Sequence, residues 1–166
     1  MSTDTRTYPG ARQPDRFRQV NADNVGIAVY EWGRESDPVV FLVHGGSDFA
    51  RTFDVFGPLI ADAGWRVVTW DHRGHGDSDW ASDGAYDIAD FASDLVAIAA
   101  GLDRKPALIG ASLGGLAGIV SEGQLAPGGF ASLTLVDITP QMEATGVARV
   151  VGFMAAHARE GFASPD

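Results

Sequence analysis

Residues 107–115 read Ala107-Leu108-Ile109-Gly110-Ala111-Ser112-Leu113-Gly114-Gly115. The first five are apolar or small, which is typical of a strand buried on both faces of a sheet. A second, largely apolar stretch, from Leu113 to Leu125, is predicted to be a helix. Ser112 therefore lies between a predicted strand and a predicted helix. The pattern Gly-x-Ser-x-Gly in this setting indicates a sharp strand-to-helix turn that presents a nucleophile.

The physics of such a turn assigns roles to its residues. A residue that changes the chain direction so sharply has a strained backbone, and flanking glycines avoid the clashes that a Cβ would make. The turn raises the Ser112 hydroxyl above the sheet. It also directs the backbone N–H of Leu113 to the same place from a helix N-terminus, where negative charge is stabilised. Ser112 is thus a candidate nucleophile and Leu113 a candidate oxyanion donor; the competing interpretation is an ordinary serine in a glycine-rich loop.

Strands and helices alternate through the rest of the sequence. We expect strands at Arg16–Asn21, Val25–Trp32, Val39–Val43, Arg66–Asp71, Ala107–Ala111 and Leu133–Asp137. We expect helices at Phe53–Ala63, from Asp87 to near Gly101, at Leu113–Leu125 and at Gly146–Glu160. The first two strands should pair antiparallel, and the buried strands after them should form a parallel sheet with right-handed crossovers. The predicted fold class is α/β, a mostly parallel sheet with helices on both faces.

The composition excludes several classes of partner. The chain has 166 residues and a formal net charge of −10, so it should repel nucleic acid phosphates and anionic membranes. It contains no cysteine, which excludes disulfides, thiolate metal sites and a cysteine nucleophile. The polar N-terminus is not a signal peptide, and the apolar runs are far shorter than a membrane span. We therefore expect a cytoplasmic protein with a small-molecule substrate.

Four segments resemble those of one known family. They are Val43-His44-Gly45-Gly46, Asp71-His72-Arg73-Gly74-His75-Gly76-Asp77-Ser78, Gly110-Ala111-Ser112-Leu113-Gly114-Gly115 and Leu135-Val136-Asp137. In order and spacing they resemble the α/β-hydrolase family, in the branch that holds esterases, cofactor-free haloperoxidases and epoxide hydrolases. The resemblance extends from about Val20 to the end of the chain.

This resemblance implies acyl chemistry at Ser112. Epoxide hydrolases and haloalkane dehalogenases of the family carry an aspartate at the turn, so Ser112 argues against them. The family places a second oxyanion donor just after the His-Gly pair, which corresponds to the backbone N–H of Gly46. Gly46 could otherwise serve only to permit a tight loop. The resemblance implies no metal and no organic cofactor.

A serine hydroxyl needs a base, normally a histidine oriented by a carboxylate. The family places the acid and then the histidine after the serine in chain order. His44, His72 and His75 fall in motifs that the family uses structurally, and His157 falls where the family begins its mobile cap. Asp137 ends the strand after the turn, where some members carry the triad acid. It could equally bond to its own loop.

The acid–base part of the site is therefore expected beyond Asp166. On this interpretation the chain is the N-terminal part of a serine hydrolase, truncated before the last strands of the core. Residues 1–15 would be frayed or disordered, 16–140 would form the core, and 141–166 would begin a cap or lid. Ending the sheet at its last predicted strand leaves an open apolar edge, so we also expect possible self-association.

Three functions remain open at this point. The first is hydrolysis of ester-like small molecules through an acyl-enzyme. The second is perhydrolysis, as in a cofactor-free haloperoxidase, in which peroxide replaces water on the same intermediate. The third is a catalytically incomplete fragment or binding module, because the chain alone offers a nucleophile without its base. In addition, Asp71 is expected to brace the Arg73 loop by a charge-assisted hydrogen bond.

Overall fold

The computed structural model describes residues 9–161, which form a six-stranded sheet with helices on its faces. The strands are β1 (Arg16–Ala22), β2 (Val25–Trp32), β3 (Val39–Val43), β4 (Arg66–Trp70), β5 (Ala107–Ala111) and β6 (Ser132–Val136). The helices are α1 (Phe56–Asp62), α2 (Ile88–Ala100), α3 (Leu113–Val120) and α4 (Ala144–His157). A 3₁₀ turn at Ala50–Phe53 precedes α1, and a π-helical turn at Ser121–Leu125 continues α3.

The strand order is β1-β2-β4-β3-β5-β6. Strands β1 and β2 are antiparallel, and β2 is antiparallel to β4, whereas β3, β4, β5 and β6 run parallel. This arrangement confirms the predicted α/β class with a mostly parallel sheet. It also brings the carboxyl ends of β4, β3 and β5 side by side, in that order.

Strand β3 shows why helices cover both faces of the sheet. All five of its residues are buried. Phe41 and Val43 belong to a core cluster that includes side chains of α2, while Val40 and Leu42 belong to a second cluster against which α1 packs. A strand apolar on both sides can only be stable between two such layers.

The helices follow the predicted signals with two differences. Helix α2 begins after Asp87 as expected, and the Asp87 N–H donates to the Asp90 carboxylate at 2.8 Å. The single helix predicted at Phe53–Ala63 is instead a 3₁₀ turn followed by α1. Gly57 lies against the Trp32 ring, since a Cβ there would be 3.0 Å from a ring carbon. The helix predicted at Leu113–Leu125 loses its α-helical pitch at Ser121.

Contacts to the body of the sheet reach back to Arg12, whose carbonyl accepts the indole N–H of Trp32 on β2 at 3.2 Å. The Arg12 N–H donates to the Asp54 carbonyl at 2.9 Å, and the Asp15 N–H donates to the Glu31 carbonyl at 2.8 Å. Residues 1–8, the first part of the segment predicted to be frayed, lie outside the described residues. Within residues 9–161, no helix combines the length and the apolar character that crossing a membrane requires.

Strand β6 lies at one edge of the sheet as the structure describes it, and β1 lies at the other. The two edges differ in charge. Strand β1 carries Arg16 and Arg18, whereas β6 has the sequence Ser-Leu-Thr-Leu-Val without a charge or proline. Thr134 and Val136 are exposed on it. Uncharged edges of this kind pair readily with other strands, so self-association through β6 stays a prediction.

Replacing Thr134 by lysine places a charge on the exposed face of β6 and is expected to shift the chain from dimers or larger species toward monomer. Sedimentation velocity at several protein concentrations measures this change. Gln19→Lys is the matched control, because it adds the same charge to an exposed position of the β1 edge. It should leave the mass distribution unchanged. A wild-type chain that is monomeric at every concentration would contradict self-association.

Candidate active site

Ser112 occupies a sharp, left-handed bend between β5 and α3. Its φ is 45° and its ψ is −111°, a conformation that non-glycine residues rarely adopt. Two backbone hydrogen bonds hold the bend: the Ser112 N–H donates to the Val136 carbonyl at 3.1 Å, and the Leu116 N–H donates to the Ser112 carbonyl at 2.9 Å. The Ser112 residue is exposed. The bend therefore presents the side chain above the carboxyl end of the sheet.

The neighbouring glycines allow three pieces of backbone to come into contact at this bend. A Cβ on Gly110 would lie 2.7 Å from backbone atoms of Gly114 and Gly115. A Cβ on Gly114 would lie 2.6 Å from the Val43 carbonyl oxygen. No side chain larger than hydrogen fits at either position without moving backbone, so the pattern of glycines follows from the packing of β5, α3 and the end of β3.

The loop after β3 lies beside Ser112. A Cβ on Gly45 would be 3.4 Å from the Ser112 Cβ, and one on Gly46 would be 3.8 Å from a methyl group of Leu113. Among residues 9–161, neither the Gly46 N–H nor the Leu113 N–H has an acceptor in the protein. The structure thus brings together the three residues proposed from sequence as nucleophile and oxyanion donors.

His44 orients the peptide group between Gly45 and Gly46. Its Nδ1 lies 2.6 Å from the Gly45 carbonyl oxygen, and its Nε2 accepts the His72 N–H at 3.1 Å. These partners require the proton of a neutral His44 to be on Nδ1. Because the C=O and N–H of a trans peptide point in opposite directions, holding the Gly45 carbonyl fixes the direction of the Gly46 N–H.

Asp71 ties the loop after β4 to the loop after β3. One of its carboxylate oxygens accepts the Ala50 N–H at 2.6 Å, and the other accepts the Asp77 N–H at 2.8 Å. The Tyr30 hydroxyl lies 3.2 Å from Asp71 and donates to Asp77 at 2.7 Å. Burial, together with these two carboxylates, raises the pKa of Tyr30.

Asp71 braces the Arg73 loop as predicted, because its carboxylate accepts the Asp77 N–H of that loop at 2.8 Å. The Arg73 side chain is buried and pairs with the buried Asp94 of α2, through contacts of 2.6 and 2.8 Å. The Asp94 carboxylate raises the pKa of the Arg73 guanidinium. A guanidinium buried at this depth needs a carboxylate buried with it, and that carboxylate comes from a helix distant in sequence.

No described histidine is bonded to the Ser112 hydroxyl. His44 is engaged as above, and His72 is buried with its Nε2 donating to the His44 carbonyl at 3.0 Å. His75 contacts the Arg73 carbonyl and the Ser47 N–H. His157 lies in α4, and its side chain is outside the described residues.

Asp137 follows Val136, whose carbonyl accepts the Ser112 N–H, so its backbone adjoins the bend. Its φ is 53°, and the residue is exposed. Among the described residues its carboxylate makes no hydrogen bond to its own loop. Its possible role as an acid stays a prediction. Over the same residues, no group of three or more histidine, aspartate or glutamate side chains is placed to hold a metal ion.

Sequence reasoning missed two features of this site. One is the bond between His75 and Ser47, and the other is the Tyr30 hydroxyl between Asp71 and Asp77. The only signal for the bond between His75 and Ser47 was that the two residues follow neighbouring strands of the sheet. His75 follows β4, and the Gly45-Gly46 loop follows β3. Nothing in the local sequence around Tyr30 indicated the second, because Tyr30 lies on β2 and reads as one of several apolar residues.

Comparison with known proteins identifies a matching family and several sequence relatives. The profile of a family described as the alpha/beta hydrolase fold matches residues 38–165. A 3-hydroxybutyrate-oligomer hydrolase of Cupriavidus necator is 33% identical over 132 residues, which are 77% of this chain and 44% of that protein. A non-heme chloroperoxidase of Burkholderia pyrrocinia is 35% identical over 125 residues, 72% of this chain and 44% of that protein.

Solved structures of other proteins match the fold of this chain. An alpha/beta hydrolase from Novosphingobium aromaticivorans has a TM-score of 0.74 at 30% identity, and the match covers 86% of this chain and 51% of that one. E-2-(Acetamidomethylene)succinate hydrolase has a TM-score of 0.74 at 25% identity, covering 86% of this chain and 52% of that one. The chain spans less than half the length of the two curated relatives.

Lowering the pH from about 7 to about 5 is expected to reduce the free energy of unfolding. Burial lowers the pKa of His72 to about 3 and also lowers the pKa of His44. The His72 ring stays neutral in the folded chain over this interval, and folding makes the His44 ring harder to protonate, whereas the unfolded chain takes up protons on both below about pH 6.5. The stabilisation is therefore fully present above about pH 6.5 and is lost as the pH falls toward the folded pKa values.

The expected loss is up to about 1.4 kcal/mol per pH unit for each fully shifted group. Urea unfolding followed by circular dichroism at a series of pH values measures it. A free energy of unfolding that stays constant or rises over this interval would contradict the account of the two buried neutral rings.

Proposed function

The chain belongs to the alpha/beta hydrolase fold family, and on that basis we propose that it carries the nucleophile of a serine hydrolase. The proposed substrates are ester-like small molecules, cleaved through an acyl-Ser112 intermediate. One relative is named for hydrolysis of a 3-hydroxybutyrate oligomer, which supports a carboxylic acid derivative as the substrate class. Ser112 supports the same chemistry, because an alcohol nucleophile attacks an acyl carbon to form an ester.

The left-handed conformation of Ser112 carries this proposal. With φ at 45°, the residue is strained, and the surrounding glycine contacts keep it so. A strained backbone conformation that the surrounding packing holds in place is typical of functional sites. The backbone N–H groups of Gly46 and Leu113, which have no acceptor among the residues that the structure describes, lie on the two segments that flank the serine.

The proposed reaction proceeds in two halves. The Ser112 oxygen attacks the acyl carbon of the ester while a base takes its proton, and the carbonyl oxygen becomes an oxyanion. The N–H groups of Gly46 and Leu113 would donate to that oxyanion, each contributing about 3–4 kcal/mol of transition-state stabilisation. The alkoxide leaves with a proton, and water then attacks the acyl-Ser112 ester to release the acid and restore the hydroxyl.

The base must be a group other than the described histidines. Both ring nitrogens of His44 and of His75 are hydrogen-bonded to backbone groups. His72 is buried, and its Nε2 is bonded to the His44 carbonyl. Asp137 adjoins the Ser112 bend, and its carboxylate makes no hydrogen bond within residues 9–161, so we propose that it orients a base that arrives there. Without a base, an oxyanion hole and binding alone leave only a small part of the catalysis of a complete site.

Perhydrolysis is the second candidate. The Burkholderia pyrrocinia relative is named a non-heme chloroperoxidase, and an Acinetobacter calcoaceticus relative, 35% identical over 94 residues, is named a bifunctional esterase/perhydrolase. The same acyl-Ser112 intermediate would give a peracid if hydrogen peroxide attacked it in place of water. A chain that binds the acyl compound without reacting is the remaining alternative.

A fluorophosphonate probe tests the proposed function on the 166-residue chain, with and without added imidazole as an external base. We expect imidazole to accelerate labelling of Ser112 by at least about tenfold, because general-base catalysis typically contributes about 10²–10⁴-fold. Mass spectrometry of peptides locates the label. Ser132, an exposed serine on β6, serves as the internal control and should not respond.

Ser112→Ala should abolish the label at this peptide and leave the circular dichroism spectrum unchanged. Absence of label on Ser112 at every imidazole concentration, while a known serine hydrolase is labelled in parallel, would contradict the nucleophile assignment. Equal labelling of Ser112 and Ser132 would contradict it as well, because the bend would then give no activation.

A further inference from the structure

Three histidine rings pack together beneath the Gly45-Gly46 loop. The ring centroids of His44 and His72 are 4.3 Å apart, those of His44 and His75 are 5.6 Å apart, and those of His72 and His75 are 6.0 Å apart. His44 comes from the end of β3, and the other two come from the end of β4. The proposed function uses the backbone of this loop but assigns no role to His75.

The hydrogen bonds of His75 define its tautomer. Its Nδ1 lies 3.0 Å from the Arg73 carbonyl oxygen, so Nδ1 carries the proton and donates it. Its Nε2 accepts the Ser47 N–H at 3.3 Å, which requires a free lone pair on that nitrogen. A neutral ring with its proton on Nδ1 satisfies both bonds at once.

The Ser47 N–H belongs to the peptide group directly after Gly46. Ser47 has a φ of 62°, so the loop turns through a left-handed residue there. His44 holds the peptide group before the Gly46 Cα, through the Gly45 carbonyl, and His75 holds the one after it. A residue held on both sides has little freedom to rotate its N–H, and glycine has no side chain to restrict it otherwise.

We infer that His75 is a positioning residue, whose neutral ring orients the Gly46 oxyanion donor by accepting the Ser47 N–H. This inference rests on the proposed function, because that function assigns the Gly46 N–H its role as oxyanion donor. The hydrogen bond between Ser47 and His75 is observed independently of that assignment. His75 neither touches the reacting atoms nor takes a proton in the reaction; it acts through the conformation of Gly46.

The two bonds of the ring can be separated by substitution. In His75→Gln the side-chain oxygen reaches the position of Nε2 and can accept the Ser47 N–H. In His75→Asn the side-chain amide reaches only the position of Nδ1, so it can donate to the Arg73 carbonyl but leaves Ser47 without its acceptor. Both variants are polar and His75 is only half-buried, so both should fold.

Two readouts are compared among the three chains. The first is hydrogen exchange of the Ser47 amide by NMR, which should be at least about tenfold faster in His75→Asn than in wild type and close to wild type in His75→Gln. The second is imidazole-assisted labelling of Ser112 by the fluorophosphonate. It should fall roughly ten- to hundredfold in His75→Asn, as misplacement of a catalytic group does, and stay within about threefold in His75→Gln.

Equal Ser47 exchange in all three chains would overturn the inference, and so would equal loss of labelling in both variants with their folds intact. Failure of the proposed function is distinguishable from either result. In that case wild-type Ser112 would not be labelled at all, while the exchange of the Ser47 amide would still report whether His75 holds it.

Discussion

The close approach of β3, β5 and α3 around Ser112 is the constraint on which the rest of this site depends. The Cα of Gly114 faces the carbonyl oxygen of Val43 so closely that a Cβ would stand 2.6 Å from it. This contact joins the start of α3 to the end of β3, and Gly110 joins β5 to the same helix. Given that geometry, the residue between the strand and the helix must turn through a left-handed conformation, and its side chain must project above the sheet.

A polar framework supports the second wall of the site. Asp71 binds backbone N–H groups in two loops, and Arg73 pairs with Asp94 beneath them. His44 and His75 then hold successive peptide groups around Gly46. Burying these groups is costly unless they are paired, and most of them are. The Nδ1 of His72 is an exception among the described residues, since it is buried without a hydrogen-bond partner.

Local signals in the sequence were enough to predict the sheet and the bend. The apolar run of β3, the Asp87 cap of α2 and the glycines around Ser112 each report on their own immediate surroundings. The partner of Arg73 could not be predicted in this way, because Asp94 reads as a polar residue of α2 until the helix is placed on the sheet. The same holds for His75 and Ser47, which meet only because β4 lies next to β3.

A crystal structure of the chain phosphonylated at Ser112 tests most directly whether the left-handed serine and the two backbone N–H groups form one catalytic unit. We expect a phosphoryl oxygen of the adduct to lie about 2.7–3.1 Å from both the Gly46 and the Leu113 nitrogens. An adduct on Ser112 whose oxygens all point to solvent, with neither N–H within hydrogen-bond distance, would contradict this expectation.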